Sequence, residues 1–223
     1  MVRRSHIAVK LARNASPRDL TQKLATSSGA TAGKETSIEV PLRESSARLE
    51  VYNLKTLPLE LRKWIWDLFV RNMQSLYESS EDGWNPDEKR KELFHSESRF
   101  FILRSLETGP TVTEKKKQEE GFLGYTVFRF DTEDTAGEEE ADVVYCYELQ
   151  VEPDAAGRGV GRVLMDTLDR IGRETKMDKT MLTVFKANEP AVAFYEKIGF
   201  TIDEIDPSNY NEQADYKILS RLY

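Results

Sequence analysis

Apolar and polar positions follow two different rhythms along this chain. Between Leu57 and Tyr77, the residues Leu61, Trp64, Leu68 and Phe69 recur at intervals of three and four, which predicts a long amphipathic helix. Val160, Val163, Leu164, Leu168 and Ile171 repeat the same way and predict a second, over Val160–Lys176. Two shorter helices are expected at Asp87–His95, where Pro86 suits the start, and at Glu189–Ile198. Strands are expected at Arg99–Leu106, Phe122–Phe130, Val143–Val151, Thr180–Phe185 and Tyr216–Leu222, each short and rich in β-branched or aromatic residues. Ser37–Leu54 is partly extended, and Phe200–Ile205 is extended again. A turn at Glu81–Pro86, a Lys-rich hairpin connection over Glu107–Glu120 and an acidic loop over Asp131–Asp142 separate these elements. The order predicts a mixed α/β fold: helices, an antiparallel meander, then a β-α-β-α-β tail in one domain over residues 37–223.

Residues 1–36 have weak periodicity and are rich in Ser, Thr, Ala and basic side chains, so they are expected to be mostly disordered. A mitochondrial transit peptide, a nuclear-targeting arm and a helix packed on the domain remain open for this segment. It carries seven basic residues (Arg3, Arg4, Lys10, Arg13, Arg18, Lys23, Lys34) against Asp19 and Glu35. Asp131–Asp142 carries seven acids and no base. Each bias invites its own explanation.

The formal net charge of -7 argues against direct nucleic-acid binding. No apolar run approaches the roughly 18 residues a membrane span needs, so no membrane association is expected. The single cysteine, Cys146, excludes an intrachain disulfide, and no metal site is expected. His6 and His95 stand far apart, which leaves a histidine-based triad poorly supplied; His95 is expected to be structural, at a helix end.

The chemistry concentrates in Leu149–Phe200, which opens LQVEPDAAGRGVGRVLMDTL. A strand runs into closely spaced glycines, Gly157, Gly159 and Gly161, and then into a helix. The first N–H groups of a helix lack internal partners, and glycines let a phosphate approach them. Arg158 and Arg162 flank the loop and can add charge-assisted hydrogen bonds. By itself this pattern is also that of a tight strand-to-helix turn.

The second block, TMLTVFKANEPAVAFYEKIGF, carries Asn188, Ala191, Phe194, Tyr195, Gly199 and Phe200 in the spacing Asn-x-x-Ala-x-x-Phe-Tyr-x-x-x-Gly-Phe. Together the blocks resemble the GNAT superfamily of acetyl-CoA-dependent N-acetyltransferases, whose phosphate loop reads Gln/Arg-x-x-Gly-x-Gly/Ala. Ala156 departs from that pattern at its first position, which shifts the pyrophosphate partner to Arg158 or Arg162. Five further blocks, NMQSLYESSEDGW, FRFD, VYCYELQ, MLTVFK and YKILSR, resemble the NatD branch, the N-alpha-acetyltransferases of histone H4 and histone 2A. A second tryptophan of that branch is replaced here by Asp82.

The resemblance implies a GNAT fold with a splayed, mostly antiparallel sheet, and acetyl-CoA as co-substrate. It implies cofactor contacts from Leu149, Gln150, Val151, Gly157, Arg158, Gly159, Val160, Gly161, Arg162 and Asn188. Glu148 is implied as the base, and Tyr195 as the proton donor to the leaving thiolate or as packing beside the cofactor. Tyr77, Trp84, Asp131, Tyr145, Tyr147, Thr183 and Tyr216 are implied as substrate contacts, with Asp131 opening the acidic loop and meeting the arginine of Ser-Gly-Arg-Gly. The partners it implies are the two histone tails, acted on by a monomer in nucleus and cytoplasm. Strict alternation would put Tyr147 and Glu148 on opposite faces of their strand; a bulge there, as in the family, would bring them to one site. Two rival readings stay open: acetyl transfer to lysine or small amines, and a non-catalytic acetyl-CoA- or histone-binding module.

Overall fold

The computed structural model of the protein describes residues 6–28, 36–43, 45–106 and 121–223. Helices α1 (Ile7–Asn14) and α2 (Pro17–Ser28) come first, followed by strands β1 (Ser37–Pro41) and β2 (Ser46–Asn53). Helices α3 (Leu59–Glu78) and α4 (Pro86–Leu93) lead into β3 (Arg99–Ser105), β4 (Phe122–Glu133) and β5 (Ala141–Val151). Helix α5 (Val160–Glu174), β6 (Lys179–Phe185), α6 (Glu189–Lys197), β7 (Thr201–Ile202) and β8 (Tyr216–Leu222) complete the chain. The Glu107–Glu120 connection lies outside the described residues.

The strands form one sheet in the order β1-β2-β3-β4-β5-β6-β8-β7. Every pairing is antiparallel except β5 with β6, which α5 connects as a crossover. Helices cover both faces, because the strands supply two apolar surfaces. On one face α5 buries Val160, Leu164, Leu168 and Ile171 against Phe101, Phe128 and Phe130. On the other, α3 and α4 bury Leu61, Ile65, Phe69 and Leu93 against Phe100, Ile102, Tyr125 and Val127. The predicted mixed α/β architecture is the one observed.

Within the N-terminal segment, residues 6–28 differ from the expectation of disorder. Ser16 and Asp19 cap α2 reciprocally: the Asp19 N–H donates to Ser16 Oγ at 3.2 Å, and the Ser16 N–H donates to Asp19 Oδ2 at 2.9 Å. Leu20 and Leu24, one turn apart, are fully buried in the α5 face of the core, as are Val9 and Ala12 of α1. Residues 6–28 therefore pack on the domain, held by apolar burial that their polar composition conceals.

Strand β4 also runs further than expected, to Glu133, so Asp131 is a strand residue rather than the start of a loop. Its carboxylate accepts from Arg13 Nη2 at 2.5 Å, and Arg13 Nε donates to Phe130 O at 2.8 Å. At the other end of the acidic segment, His6 sits 2.5 Å from Asp142 Oδ1 and 3.2 Å from Glu140 Oε2. Arg13 and His6, from the start of the chain, thus meet three acids of this segment, Asp131, Glu140 and Asp142.

Candidate active site

The site begins with an irregularity in β5. Val127 pairs with Glu148 and Phe128 with Cys146, which leaves Tyr147 without a partner across the β4–β5 ladder. This bulge undoes the alternation, and both Tyr147 and Glu148 border one cavity. The parallel β5–β6 pairing ends at Cys146–Leu182. Beyond that point Glu148–Val151 and Thr183–Phe185 flank the same cavity, of about 1210 Å³. The bulge and the end of pairing therefore create the opening that a continuous sheet would close.

One end of the cavity is built by the glycine loop. Gly157, Gly159, Val160, Gly161 and Arg162 line it, whereas Arg158 does not. Gly159 has φ +92°, a left-handed conformation that favours glycine, and it places the first N–H groups of α5 at the cavity. Gly161 answers to packing: a Cβ there would lie 3.2 Å from Cζ of Phe194 on α6. Arg43, from the β1–β2 turn, also lines the cavity and donates from Nη1 to Gly157 O at 3.2 Å. The sequence carried no signal for Arg43, because its approach depends on the sheet bringing β1–β2 beside α5. Asn188 lines the cavity and caps α6, its Oδ1 accepting from the Ala191 N–H at 3.3 Å. Its Nδ2 is then the end free to serve a ligand carbonyl.

Glu148 occupies the middle. It is 6% exposed, and burial pushes its carboxyl above the usual glutamate range; Lys89 and a hydrogen bond from Gln150 oppose that rise. Gln150 Nε2 donates to Glu148 Oε2 at 2.7 Å, and Asn72 Nδ2 donates to Gln150 Oε1 at 2.9 Å, so α3 and β5 together fix the carboxylate. Lys89 Nζ stands 3.4 Å from Glu148 Oε1. Lys89, Gln150 and Asn72 form a support for Glu148 that reading along the chain did not reveal. The (i, i+2) spacing of Glu148 and Gln150 was its one visible trace. Tyr195 also lines the cavity, and burial holds its phenol well above the ordinary tyrosine range, so it stays protonated.

The aromatic side chains gather at the other end. Tyr77, Tyr145, Tyr147, Thr183 and Tyr216 all line the cavity. Tyr145 Oη and Thr183 Oγ1 share a hydrogen bond of 2.6 Å across the β5–β6 gap. Tyr77 meets Phe185 edge-on at 4.8 Å, joining α3 to β6. Burial is the main reason the Tyr77 and Tyr145 phenols are each pushed up to about 12. Arg129 lies 4.0 Å over the Tyr147 ring. Asp131 and Trp84 do not line the cavity: Asp131 is paired with Arg13, and Trp84 stacks on Trp66 and Phe69 at 6.0 and 5.9 Å. Glu133 does line it; burial, then Asp131 and Asp134, push its carboxyl up. Among the described residues no group of three or more His, Cys, Asp or Glu is placed to hold a metal, and no helix is long and apolar enough to cross a membrane.

A glycine loop at a helix start thus opens into a cleft between splayed strands, with a buried carboxylate beside it. The sequence model of the acetyltransferase (GNAT) family matches residues 60–200, and the chain belongs to that family. Mycothiol acetyltransferase of Propionibacterium freudenreichii subsp. shermanii is 42% identical over 60 residues, 27% of this chain and 19% of that protein. The chain therefore spans about a fifth of the length of this curated relative. Two solved structures share the fold at low identity. Arabidopsis thaliana NAA60, solved in complex with a bisubstrate analogue, is 10% identical with a TM-score of 0.55, covering 78% of this chain and 97% of that one. The PaiA N-acetyltransferase from Thermoplasma acidophilum, solved in complex with coenzyme A, is 14% identical with a TM-score of 0.51, covering 78% and 99%.

Proposed function

We propose that the protein transfers the acetyl group of acetyl-CoA to the α-amine of a peptide that begins Ser-Gly-Arg-Gly, the N terminus of histones H4 and 2A. The observation that carries this reading is the convergence on one cavity of the glycine loop, the buried Glu148 and the cluster Tyr77, Tyr145, Tyr147, Thr183 and Tyr216. Acetyl-CoA supplies an activated acyl carbon and a thiolate leaving group. The amides at the start of α5, with Arg43 and Arg162, hold its phosphates. Asn188 and the backbone of Leu149, Gln150 and Val151 hold its pantetheine arm.

Glu148 takes a proton from the acceptor ammonium, directly or through one water, and the freed nitrogen lone pair attacks the thioester carbon. As the C–S bond breaks, Tyr195 gives its phenolic proton to the thiolate, and the second proton lost by the nitrogen restores the Tyr195 phenol. The proton on Glu148 passes to solvent as the products, an amide and a free thiol, leave. An α-amine has a pKa of about 7.7–8.0 against about 10.4 for lysine, so its free-base fraction at neutral pH is larger by a factor in the hundreds. A single carboxylate base therefore suffices.

The tyrosines enclose a small first residue and a glycine, and Glu133 of β4, on the cavity wall, receives the arginine that follows. With histone tails as acceptors, the protein works as a monomer in nucleus and cytoplasm. Mass spectrometry of an H4 N-terminal peptide incubated with protein and acetyl-CoA tests the reading. Acetyl on the α-amine supports it. Equal turnover of an N-terminally blocked peptide would point to lysine instead, and turnover of small amines alone to a small-molecule acceptor.

A further inference from the structure

Helix α4 is polar on almost every side, and its sequence PDEKRKEL offers three cations in a row. Arg90 and Lys91 are exposed, while Lys89 turns inward with 11% of its side chain accessible. A lysine head group is rarely taken from water unless it is paired. Lys89 Nζ lies 2.7 Å from Glu92 Oε1 and 3.4 Å from Glu148 Oε1. It also stands over the rings of Tyr77 and Phe69, at 5.0 and 5.6 Å.

From this arrangement we infer that Lys89 is a positioning residue: its ammonium keeps Glu148 ionised and holds the carboxylate at the cavity wall, ready to accept a proton. The inference rests on Glu148 being the base. Among the described residues, the titratable groups that act on Glu148 come from several elements: Lys89 and Glu92 of α4, Tyr77 of α3, Tyr125 of β4, Cys146 of β5 and Tyr195 of α6. The four tyrosine and cysteine groups are all pushed upward by burial and are neutral at physiological pH. Lys89 is then the cation of this set, and Glu92 its one other anion. A carboxyl as deeply buried as Glu148 would otherwise hold its proton and could not act as a base. The attraction is mutual: Glu148 raises Lys89, which therefore stays an ammonium and does not compete as a nucleophile. When Glu148 is protonated during the reaction, Glu92 still pairs Lys89, so the cation is never stranded.

The test is the titration of Glu148 in the free protein, followed by 13C NMR of its side-chain carboxyl and assigned as the signal lost in Glu148→Gln. Lys89→Met should move the midpoint up by about one pH unit or more. It should move the acidic limb of kcat/KM for the H4 peptide by the same amount, leaving KM for acetyl-CoA unchanged. Lys89→Arg, which keeps the charge, should restore most of both. Glu92→Gln removes a like charge and should move both in the opposite direction, which keeps the test open if Lys89→Met does not fold. Midpoints at the wild-type position in Lys89→Met, or in Glu92→Gln where that alone folds, would overturn the inference. The proposed acceptor fails separately: in that case the H4 peptide is not acetylated even by wild type, while the NMR midpoints still report on Lys89.

Discussion

Arg13 Nη2 donates to Asp131 Oδ1 at 2.5 Å across a sequence separation of 118 residues. This contact joins α1 to the strand that carries Glu133, an acid of the cavity wall. It also occupies the carboxylate that the resemblance assigned to the substrate arginine, while Glu133, two residues on and on the same side of β4, faces the cavity. The two acids therefore divide the work between the fold and the ligand.

Asp131→Asn should lower stability by about 1 kcal/mol, the worth of an ion pair still a third exposed to water. Chemical denaturation measures this. KM for the H4 peptide should change less than twofold. Glu133→Gln should do the reverse, raising that KM by about tenfold, as for a lost charge-assisted hydrogen bond of about 1.5 kcal/mol, with little change in stability. If Asp131→Asn instead raises KM tenfold, the arginine is read by Asp131.

The packing of α2 makes a second prediction. Leu24 is fully buried between α5 and the sheet. Leu24→Ala should cost about 2–5 kcal/mol of unfolding free energy, as deletion of a buried leucine does. An exposed neighbour such as Gln22→Ala should stay within about 0.5 kcal/mol. A disordered N-terminal segment would show no difference between the two in a denaturant midpoint.

Arg43 brings a cation to the glycine loop, whose first position, Ala156, offers none. Its guanidinium stands on the glycine loop from a distant hairpin and keeps donors free for a phosphate. Arg43→Ala should weaken coenzyme A binding in calorimetry by about five- to tenfold, or about 1–1.4 kcal/mol. The salt dependence of binding should become shallower, and kcat at saturating acetyl-CoA should be unchanged.

Burial raises Glu148, and the sign of the pH effect follows from that. With Glu148 as the proposed base, the carboxylate is the active form, so activity should fall as pH drops through a value above the ordinary glutamate range. For stability the same shift acts in the other sense. A carboxyl with a raised folded pKa contributes fully below its unfolded value, and that contribution is lost as pH rises through the folded value. Glu148→Gln should abolish the acidic limb, lower kcat by about a hundredfold or more, and leave coenzyme A binding intact. An unchanged kcat across pH would remove Glu148 from the reaction.

Most elements were legible along the chain because helix and strand periods are local. β8 begins at Tyr216 and ends at Leu222, as its pattern predicts, and the strand and helix around Gly157–Gly161 follow from glycine spacing. The N-terminal helices were the main miss. Ser16-Pro17-Arg18-Asp19 is a capping signal, and Leu20 and Leu24 lie on one helical face, but both are diluted by polar neighbours that face water. Asp131 was misplaced for a related reason: β4 continues into polar residues because β5 pairs with it as far as Ala141–Glu133.

The sequence by itself determined the family, the helix-start loop and the types of side chain available to the site, since these depend on residue identity and short spacings. Only the tertiary structure decided which charges meet. The support of Glu148 comes from α3, α4 and β5; the partners of Asp131 and Asp142 come from α1 and from His6 just before it; and the guanidinium on the glycine loop comes from the β1–β2 turn. Each of these depends on the order of strands in the sheet and on one bulge at Tyr147, which set distances between residues that chain separation does not encode.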